Sequence, residues 1–429
     1  MKLYLNPPKE KWGKLIGRAL SDDTMVVESV RESLKVVKEQ GESGLKDLIA
    51  KYDKVERDSL FASEEEIERQ ALLVGDQLKE AIEIAISNIT KFHSAQQVEW
   101  PLVESFPGVR CWVKNLPITK VGLYVPGGSA PLFSTLLMLA IPAQLAGCSD
   151  ILIATPADSN GTLNCAIAYC AKRLNLNSIL LAGGAQAIGA MAYGTETILA
   201  RDKIFGPGNR FVTKAKELVS GVVAVDMPAG PSELMVIADS GSNPNFVAAD
   251  LLSQAEHGAD SQLFLLSNSL SIIEQTMKVV DRERQTLPRG GEIEGALKNS
   301  SAILLPTILE SIEFANLYAP EHLILSIEEP WSVIDRIEAA GSVFVGGYSP
   351  VSAGDYLSGT NHTLPTSGWA RSLGGITLES FKRKISFQEL TPDAIVKLNG
   401  AISTMALEEG LVAHARAVEV RVDEIINKN

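Results

Sequence analysis

The sequence predicts an α/β protein built on parallel sheets. Three observations carry that reading. From about residue 118 onward, short β-branched runs end in Gly/Pro loops and lead into helical patterns, repeatedly. The runs are too numerous for one sheet, which points to two. Before that point the apolar spacing is helical. The chain has 429 residues, 45% hydrophobic and 21% charged, the composition of a folded chain too long for one core.

In chain order, the N-terminus (MKLYLNPPKEKWGKLIG) is basic but has no apolar signal core, so a cytoplasmic protein is expected. Ser63-Glu-Glu-Glu66 reads as a capping box. It opens a stripe of Ile67, Ala71, Val74, Leu78, Ile82, Ala85 and Ile89, in steps of three and four. Strand runs follow at 120–128, 150–156, 178–184, 203–209, 222–232, 234–239, 261–267, 301–306, 322–327 and 342–347. In such sheets ligands are expected at the carboxyl ends of strands. Thr391-Pro392-Asp393 starts a helix that ends near Gly410, and a second helical pattern runs from Leu411 to Ile426.

The net charge, 39 − 52 = −13, argues against nucleic acid or an anionic membrane as the main partner. No apolar run reaches the roughly 18 residues of a membrane span. Cys111, Cys148, Cys165 and Cys170 form no CxxC and read as small buried hydrophobes. No cysteine follows, so a metal farther on needs N and O ligands.

Five histidines are present. His93 has no acidic or Gly-rich company and reads as a surface residue. The other four stand in polar segments. In PNFVAADLLSQAEHG, Pro244 suits a helix start and Gly258 a cap, which puts Gln254 and His257 three apart on one face. In YAPEHLIL, Glu321 and His322 follow a Pro at the mouth of a strand and can offer two proton acceptors to one site. The long loop 349–366 carries Asp355 and His362. Glu409 and His414 flank a helix break at Gly410. A Gln/His/Asp/His set without Cys suits zinc or a similar ion. Each segment alone also fits a bland surface role. The loop GPGN (206–209) could meet a phosphate at the start of the helix after it, or serve only as a tight turn.

Together the segments GLYVPGGSAPLFSTLLMLAIPAQLAGC, GGAQAIGAMAYGT, IFGPGNRFVTKAK, DMPAGPSELMVIAD, DLLSQAEHGADSQ, YAPEHL, GDYLSGTNHTLPT and EEGLVAHARAV resemble histidinol dehydrogenase. The resemblance runs over nearly the whole chain, most strongly from about 118 to 425. It implies oxidation of L-histidinol through bound L-histidinal to L-histidine with two NAD+, the last step of histidine biosynthesis. It implies an intertwined homodimer with shared active sites and one Zn2+ per subunit. The implied fold has two incomplete Rossmann-like domains. An N-terminal arm covers 1–22. The first α/β domain covers 23–118 and 233–375, with most metal and catalytic residues. The second covers 119–232, with the NAD contacts. A helical tail over 376–429 reaches the partner subunit.

The implied zinc ligands are Gln254, His257, Asp355 and, from the other subunit, His414. Glu321 and His322 match the proton acceptors. Ser232, His362 and Glu409 match substrate contacts, which also include His322 and the metal ligands. Tyr124, Gln186 and Asn209 match NAD contacts. Rival readings are a dehydrogenase of another small polar alcohol, a zinc hydrolase using Glu321, and a metal scaffold without catalysis. An anionic substrate would not want Glu409 nearby, a hydrolase leaves GPGN unexplained, and a scaffold needs no Glu321-His322.

Overall fold

The computed structural model describes residues 1–18, 24–127, 131–227 and 230–428. The expected boundary after residue 22, Gly128 to Ala130 of PGGSA, and Pro228 and Ala229 of DMPAGPS lie outside them. The chain divides into two compact bodies, 1–96 with 118–381 and 97–117 with 382–429.

The larger body holds two parallel sheets. The six-stranded sheet runs Lys2–Leu5, Ser301–Leu304, Gln262–Ser267, Glu233–Ala238, His322–Ser326, Ser342–Val345. Its central strand, ELMVIA, is buried at every position, as a strand covered on both faces requires. Alternate residues divide between two cores. Leu234, Val236, Leu263 and Leu265 pack with helices Pro244–Ala255, Leu270–Glu283 and Gly290–Lys298. Met235, Ile237, Phe264 and Leu325 pack with Trp12, Phe314 and Tyr318. Each such side chain contributes roughly 1.5–3 kcal/mol on burial.

The five-stranded sheet runs Ile179–Leu181, Asp150–Thr155, Lys120–Tyr124, Lys203–Phe205, Ala224–Val225. One face packs on helices Glu64–Leu72, Asp76–Ser94, Phe133–Ala146 and Cys165–Arg173. The other packs on Thr24–Tyr52, Gly184–Tyr193 and Arg210–Val219. The helices between 24 and 94, expected with the 233–375 segment, thus cover the sheet of 119–232 instead. Their apolar stripes match its faces: Val30, Val37 and Leu45 share a core with Leu152 and Ile188, and Ile67, Ile82 and Ile89 share one with Val121 and Ile153. Ser63 caps its helix, accepting from the Glu66 N–H at 3.1 Å.

The smaller body departs from the sequence reading. Lys382–Leu390, expected in a helical tail, is a strand in an antiparallel sheet with Val109–Pro117 and Val103–Phe106. The Lys-Arg-Lys start hides the alternation that would have shown it. Phe387 stacks on Trp112 with centroids 5.4 Å apart, and this ladder unites 97–117 with the tail. The helix starting after Thr391 is capped as expected, Thr391 accepting from Ala394 N–H at 3.2 Å. Gly410, at φ 74°, turns the chain into Val412–Asn427.

Two further expectations change or narrow. His93 is fully buried rather than on the surface. Its Nδ1 meets Gln96 Oε1 at 3.2 Å, and its Nε2 has no partner among the described residues. The four cysteines are unpaired, with Cys148 and Cys170 buried and Cys111 and Cys165 half-buried. Burial pushes the Cys148 and Cys170 thiols up to about 11 and about 12. Among the described residues no helix is long and apolar enough to cross a membrane.

Candidate active site

Glu321 and His322 stand where strand His322–Ser326 begins, and Ser232 stands just before Glu233–Ala238. These candidate residues of the six-stranded sheet therefore stand at its amino edge, whereas the expectation placed ligands at carboxyl ends. Parallel pairing of His322 with Leu234 sets Glu321 beside Glu233. Helix Ile308–Tyr318 ends through Ala319, in the left-handed region at φ 55°, and Pro320 then feeds the strand. An amino edge collects the C-terminal ends of the preceding helices, whose partial negative charge favours cations.

Glu321 Oε2 accepts the Glu233 N–H at 2.9 Å and lies 3.4 Å from His322 Nδ1. His322 Nδ1 also faces the Glu233 carbonyl oxygen at 3.2 Å. A carbonyl only accepts, so Nδ1 carries the proton and donates. That leaves Nε2 as the basic atom of the neutral ring, and Nε2 is buried with no partner among the described residues. His322 is 4% exposed. Burial pulls its pKa down, but Glu321, Asp355 and the Glu233 carbonyl outweigh it, and the ring sits above the ordinary histidine value.

His362 is clamped from both sides. Nδ1 meets the Asp355 carbonyl oxygen at 3.0 Å, and Nε2 meets Thr135 Oγ1 at 3.1 Å. Thr135 belongs to helix Phe133–Ala146, so this histidine ties the loop of 349–366 to the other sheet's layer. Asn361 reinforces the tie, Nδ2 donating to the Met138 carbonyl at 2.6 Å. Burial lowers the His362 pKa, Asp355 raises it, and His322 and His257 lower it further. These influences put Asp355, His257, His322 and His362 in one electrostatic neighbourhood.

Gln254 is buried in the last turn of Pro244–Ala255. His257 lies past the helix end, exposed, its N–H donating to the Gln254 carbonyl at 3.3 Å. The helix is capped at Glu256, before the expected Gly258. Gln254, His257 and Asp355 are N and O donors of the kind zinc takes. Among the described residues no group of three or more His, Cys, Asp or Glu converges on a metal position. The implied set draws only two of those types, His257 and Asp355, from this body. Glu409 and His414 belong to the smaller body, both exposed, at the end of Pro392–Glu408 and the start of Val412–Asn427.

The carboxyl edge of the five-stranded sheet carries Tyr124, Gln186 and Asn209, each at or after the end of a strand. Tyr124 is 4% exposed, its hydroxyl oxygen accepts the Gly184 N–H at 3.1 Å, and burial pushes its pKa up to about 12. Gln186 is 2% exposed, with Nε2 donating to Asp53 Oδ1 at 3.5 Å. Asn209 is exposed and caps Arg210–Val219, Oδ1 accepting from Phe211 and Val212 N–H at 3.0 and 3.2 Å. Gly206 needs its φ of 127°, and a Cβ there would run into the Tyr124 carbonyl. Its N–H donates to Asp226 Oδ2 at 2.7 Å and its carbonyl accepts from Lys216 Nζ at 2.9 Å. Lys216 and Asp226 form a buried ion pair that brackets the GPGN loop. Thr155 Oγ1, buried at the end of its strand, has no partner among the described residues. An orphan hydroxyl and two helix N-termini make this edge suited to an anionic, hydrogen-bonding ligand.

The family description Histidinol dehydrogenase matches residues 17–422. A histidinol dehydrogenase of Bacteroides thetaiotaomicron is 48% identical over 99% of this chain and 100% of its own. One of Vibrio cholerae is 44% identical over 95% and 94%. The crystal structure of histidinol dehydrogenase from Elizabethkingia anophelis superposes with a TM-score of 0.96 at 49% identity, covering 99% of this chain and 98% of that one. The chain belongs to the histidinol dehydrogenase family.

Within this histidinol dehydrogenase family member, the structure adds residues that sequence reasoning did not single out. Glu233 is 3% exposed and gives both main-chain polar groups to Glu321 and His322. Arg18 grips its carboxylate. Thr135 holds His362. Asp250, one turn before Gln254, accepts from the Val351 N–H at the start of the short helix carrying Asp355, and burial pushes its carboxyl up to about 7. None of them stands beside a histidine in the sequence, so composition offered no signal.

Proposed function

We propose that this enzyme oxidises L-histidinol through bound L-histidinal to L-histidine with two NAD+, as the last step of histidine biosynthesis. The observation that carries the reading is the buried Glu321–His322 pair, with Nε2 of His322 lacking a partner among the described residues. Zinc, held by Gln254, His257, Asp355 and His414 of the partner subunit in a homodimer, would orient the imidazole and amine of the substrate. NAD+, held at the edge formed by Tyr124, Gln186 and Asn209, would take the hydride of each oxidation.

The chain's own groups do the proton chemistry. His322 Nε2 accepts the hydroxyl proton of histidinol, and the Glu233 carbonyl and Glu321 carboxylate stabilise the imidazolium that results. The aldehyde must be hydrated before a second hydride can leave. Glu321 polarises that water, and His322, having released its first proton, accepts the next. Ser232, His362 and Glu409 would position the polar ends of the substrate. Holding the aldehyde keeps a reactive intermediate from solvent.

The test is stoichiometry. Two NADH should form per histidinol consumed, with histidine as product; one NADH with released aldehyde, or none, would reject the reading. The shared site has its own test. A heterodimer of one His257→Asn and one His414→Asn chain has one site with both lesions and one intact site. It should regain activity that both mutant homodimers lack, whereas inactive heterodimers of confirmed composition would place His414 in its own chain's site.

A further inference from the structure

The catalytic pair is not held by its own strand alone. Glu321 Oε2 and His322 Nδ1 both rest on the main chain of Glu233, at 2.9 Å from its nitrogen and 3.2 Å from its carbonyl oxygen. Whatever fixes Glu233 therefore fixes both groups. Glu233 begins its strand in register with Gln262, and its main-chain groups also meet side chains at the neighbouring strand's mouth. Its carboxylate is 3% exposed close to the Glu321 carboxylate, an arrangement that repels itself unless a cation intervenes.

The cation is Arg18. Its Nε donates to Glu233 Oε1 at 2.5 Å and its Nη2 to Oε2 at 2.9 Å, a two-point grip. Nη2 also donates to the Tyr318 carbonyl at 2.9 Å, and the guanidinium lies 4.0 Å from the Tyr318 ring centroid. Tyr318 ends the helix that feeds Ala319, Pro320 and Glu321. One guanidinium thus grips Glu233 and the base of the turn bearing Glu321. Ser367, in the left-handed region at φ 56°, adds an N–H to Glu233 Oε1 at 2.9 Å.

The geometry points to Arg18 as a positioning residue for the dehydrogenase reaction: by clamping Glu233 to the Tyr318 turn, it sets Glu321 and keeps the His322 Nδ1 proton on the Glu233 carbonyl, so that Nε2 is the acceptor. Arg18 touches neither Glu321 nor His322, and it lies in the N-terminal arm, 321 − 18 = 303 residues before Glu321 and 215 before Glu233. Lysine cannot reproduce the two-point grip. This inference rests on the proposed histidinol oxidation for its kinetic arm only.

The experiment uses the full-length protein and the variants Arg18→Ala, Arg18→Lys and Glu233→Gln, with folding checked by circular dichroism and thermal melting. Arg18→Ala should lower kcat for histidinol about 10²-fold, the scale of a small misplacement of catalytic groups, and leave KM for NAD+ within about twofold. Added guanidinium should restore part of that rate, and Arg18→Lys should fall between wild type and Arg18→Ala. Hydrogen exchange at the Glu233 amide should speed up in Arg18→Ala, because Glu321 no longer holds it. A folded Arg18→Ala with kcat within twofold of wild type overturns the inference. So does a slow variant whose Glu233 amide exchanges as in wild type and which guanidinium does not rescue. If Arg18→Ala does not fold, Arg18→Lys and Glu233→Gln decide by the same two readouts. Wild-type protein inert toward histidinol would sink the functional reading, while the amide-exchange comparison would still judge the clamp.

Discussion

The two parallel sheets of the larger body carry their candidate site residues on opposite edges. The six-stranded sheet gathers Ser232, Gln254, Glu321 and His322 at its amino edge, where helices Pro244–Ala255 and Ile308–Tyr318 end. The five-stranded sheet sets Tyr124, Gln186 and Asn209 at its carboxyl edge, where Gly184–Tyr193 and Arg210–Val219 begin. Helix ends carry partial negative charge and helix starts partial positive charge. The first edge therefore suits a metal cation and a histidine that must become charged. The second suits the phosphates of a dinucleotide. The bond between His362 and Thr135 joins the loop of 349–366 to the helix that leaves the carboxyl edge of the five-stranded sheet. The same parallel α/β grammar thus presents two edges of opposite polarity, and the proposed metal and cofactor sites fall on the edges whose polarity suits them.

The division can be broken at its strongest point first. Prolonged chelation should abolish activity, and zinc should restore it, because Gln254, His257 and Asp355 are N and O donors proposed to hold zinc at the edge that favours cations. Full activity in protein shown by elemental analysis to be metal-free would remove the metal from that edge.

Next is His322→Asn, which should cut kcat about 10³-fold, within the range of general acid–base removal. KM for NAD+ should hardly move, since the cofactor edge is untouched. A comparable rise in KM for NAD+ would show that the edges do not divide the work. Glu321→Gln should cost about 10²-fold in histidinal oxidation and less in the histidinol half-reaction, because only the aldehyde needs an activated water. Single-turnover rates for the two steps check this, and equal losses would refute the separation of roles.

On the other edge, Asn209→Ala should raise KM for NAD+ about tenfold, on the order of one lost hydrogen bond, with kcat within about threefold. The lost helix cap should also cost roughly 1 kcal/mol of stability. An unchanged KM for NAD+ would take Asn209 out of the cofactor site.

The smallest effect concerns His93, buried far from either edge in sequence and in role. Burial lowers its pKa, only partly opposed by Gln96. A histidine depressed in the folded state is stabilising in full above its unfolded value, and that stability is lost as pH falls through the folded value. His93→Gln should flatten the fall in melting temperature below about pH 6.5. A melting curve that keeps the wild-type acid slope would assign the slope elsewhere.

Much of this was legible before the fold was seen. Ten strand runs, the caps at Ser63 and Thr391, and the break at Gly410 are local matters, set by turn chemistry and by which side chain can reach a free N–H. The strands Val109–Pro117 and Lys382–Leu390 were not legible. They stabilise each other by pairing across more than 260 residues, Lys382 with Pro117, and Lys382–Leu390 reads as polar alone. His93 looked like a surface residue because its burial comes from the layer packed around it, not from its neighbours in sequence.

By itself, the sequence determined the fold class, the family and the residue types that could do the chemistry. Apolar periodicity, glycine and proline placement, and a sparse set of histidines are properties of short segments. The tertiary structure alone decided that Glu321 and His322 share the main chain of Glu233, that Arg18 grips that residue, and that Ser232, Glu321 and His322 stand together at the amino edge of the six-stranded sheet. These follow from the register of parallel strands and from pairing buried charges over long separations. Such energies exist only once distant segments are packed together and water is excluded between them.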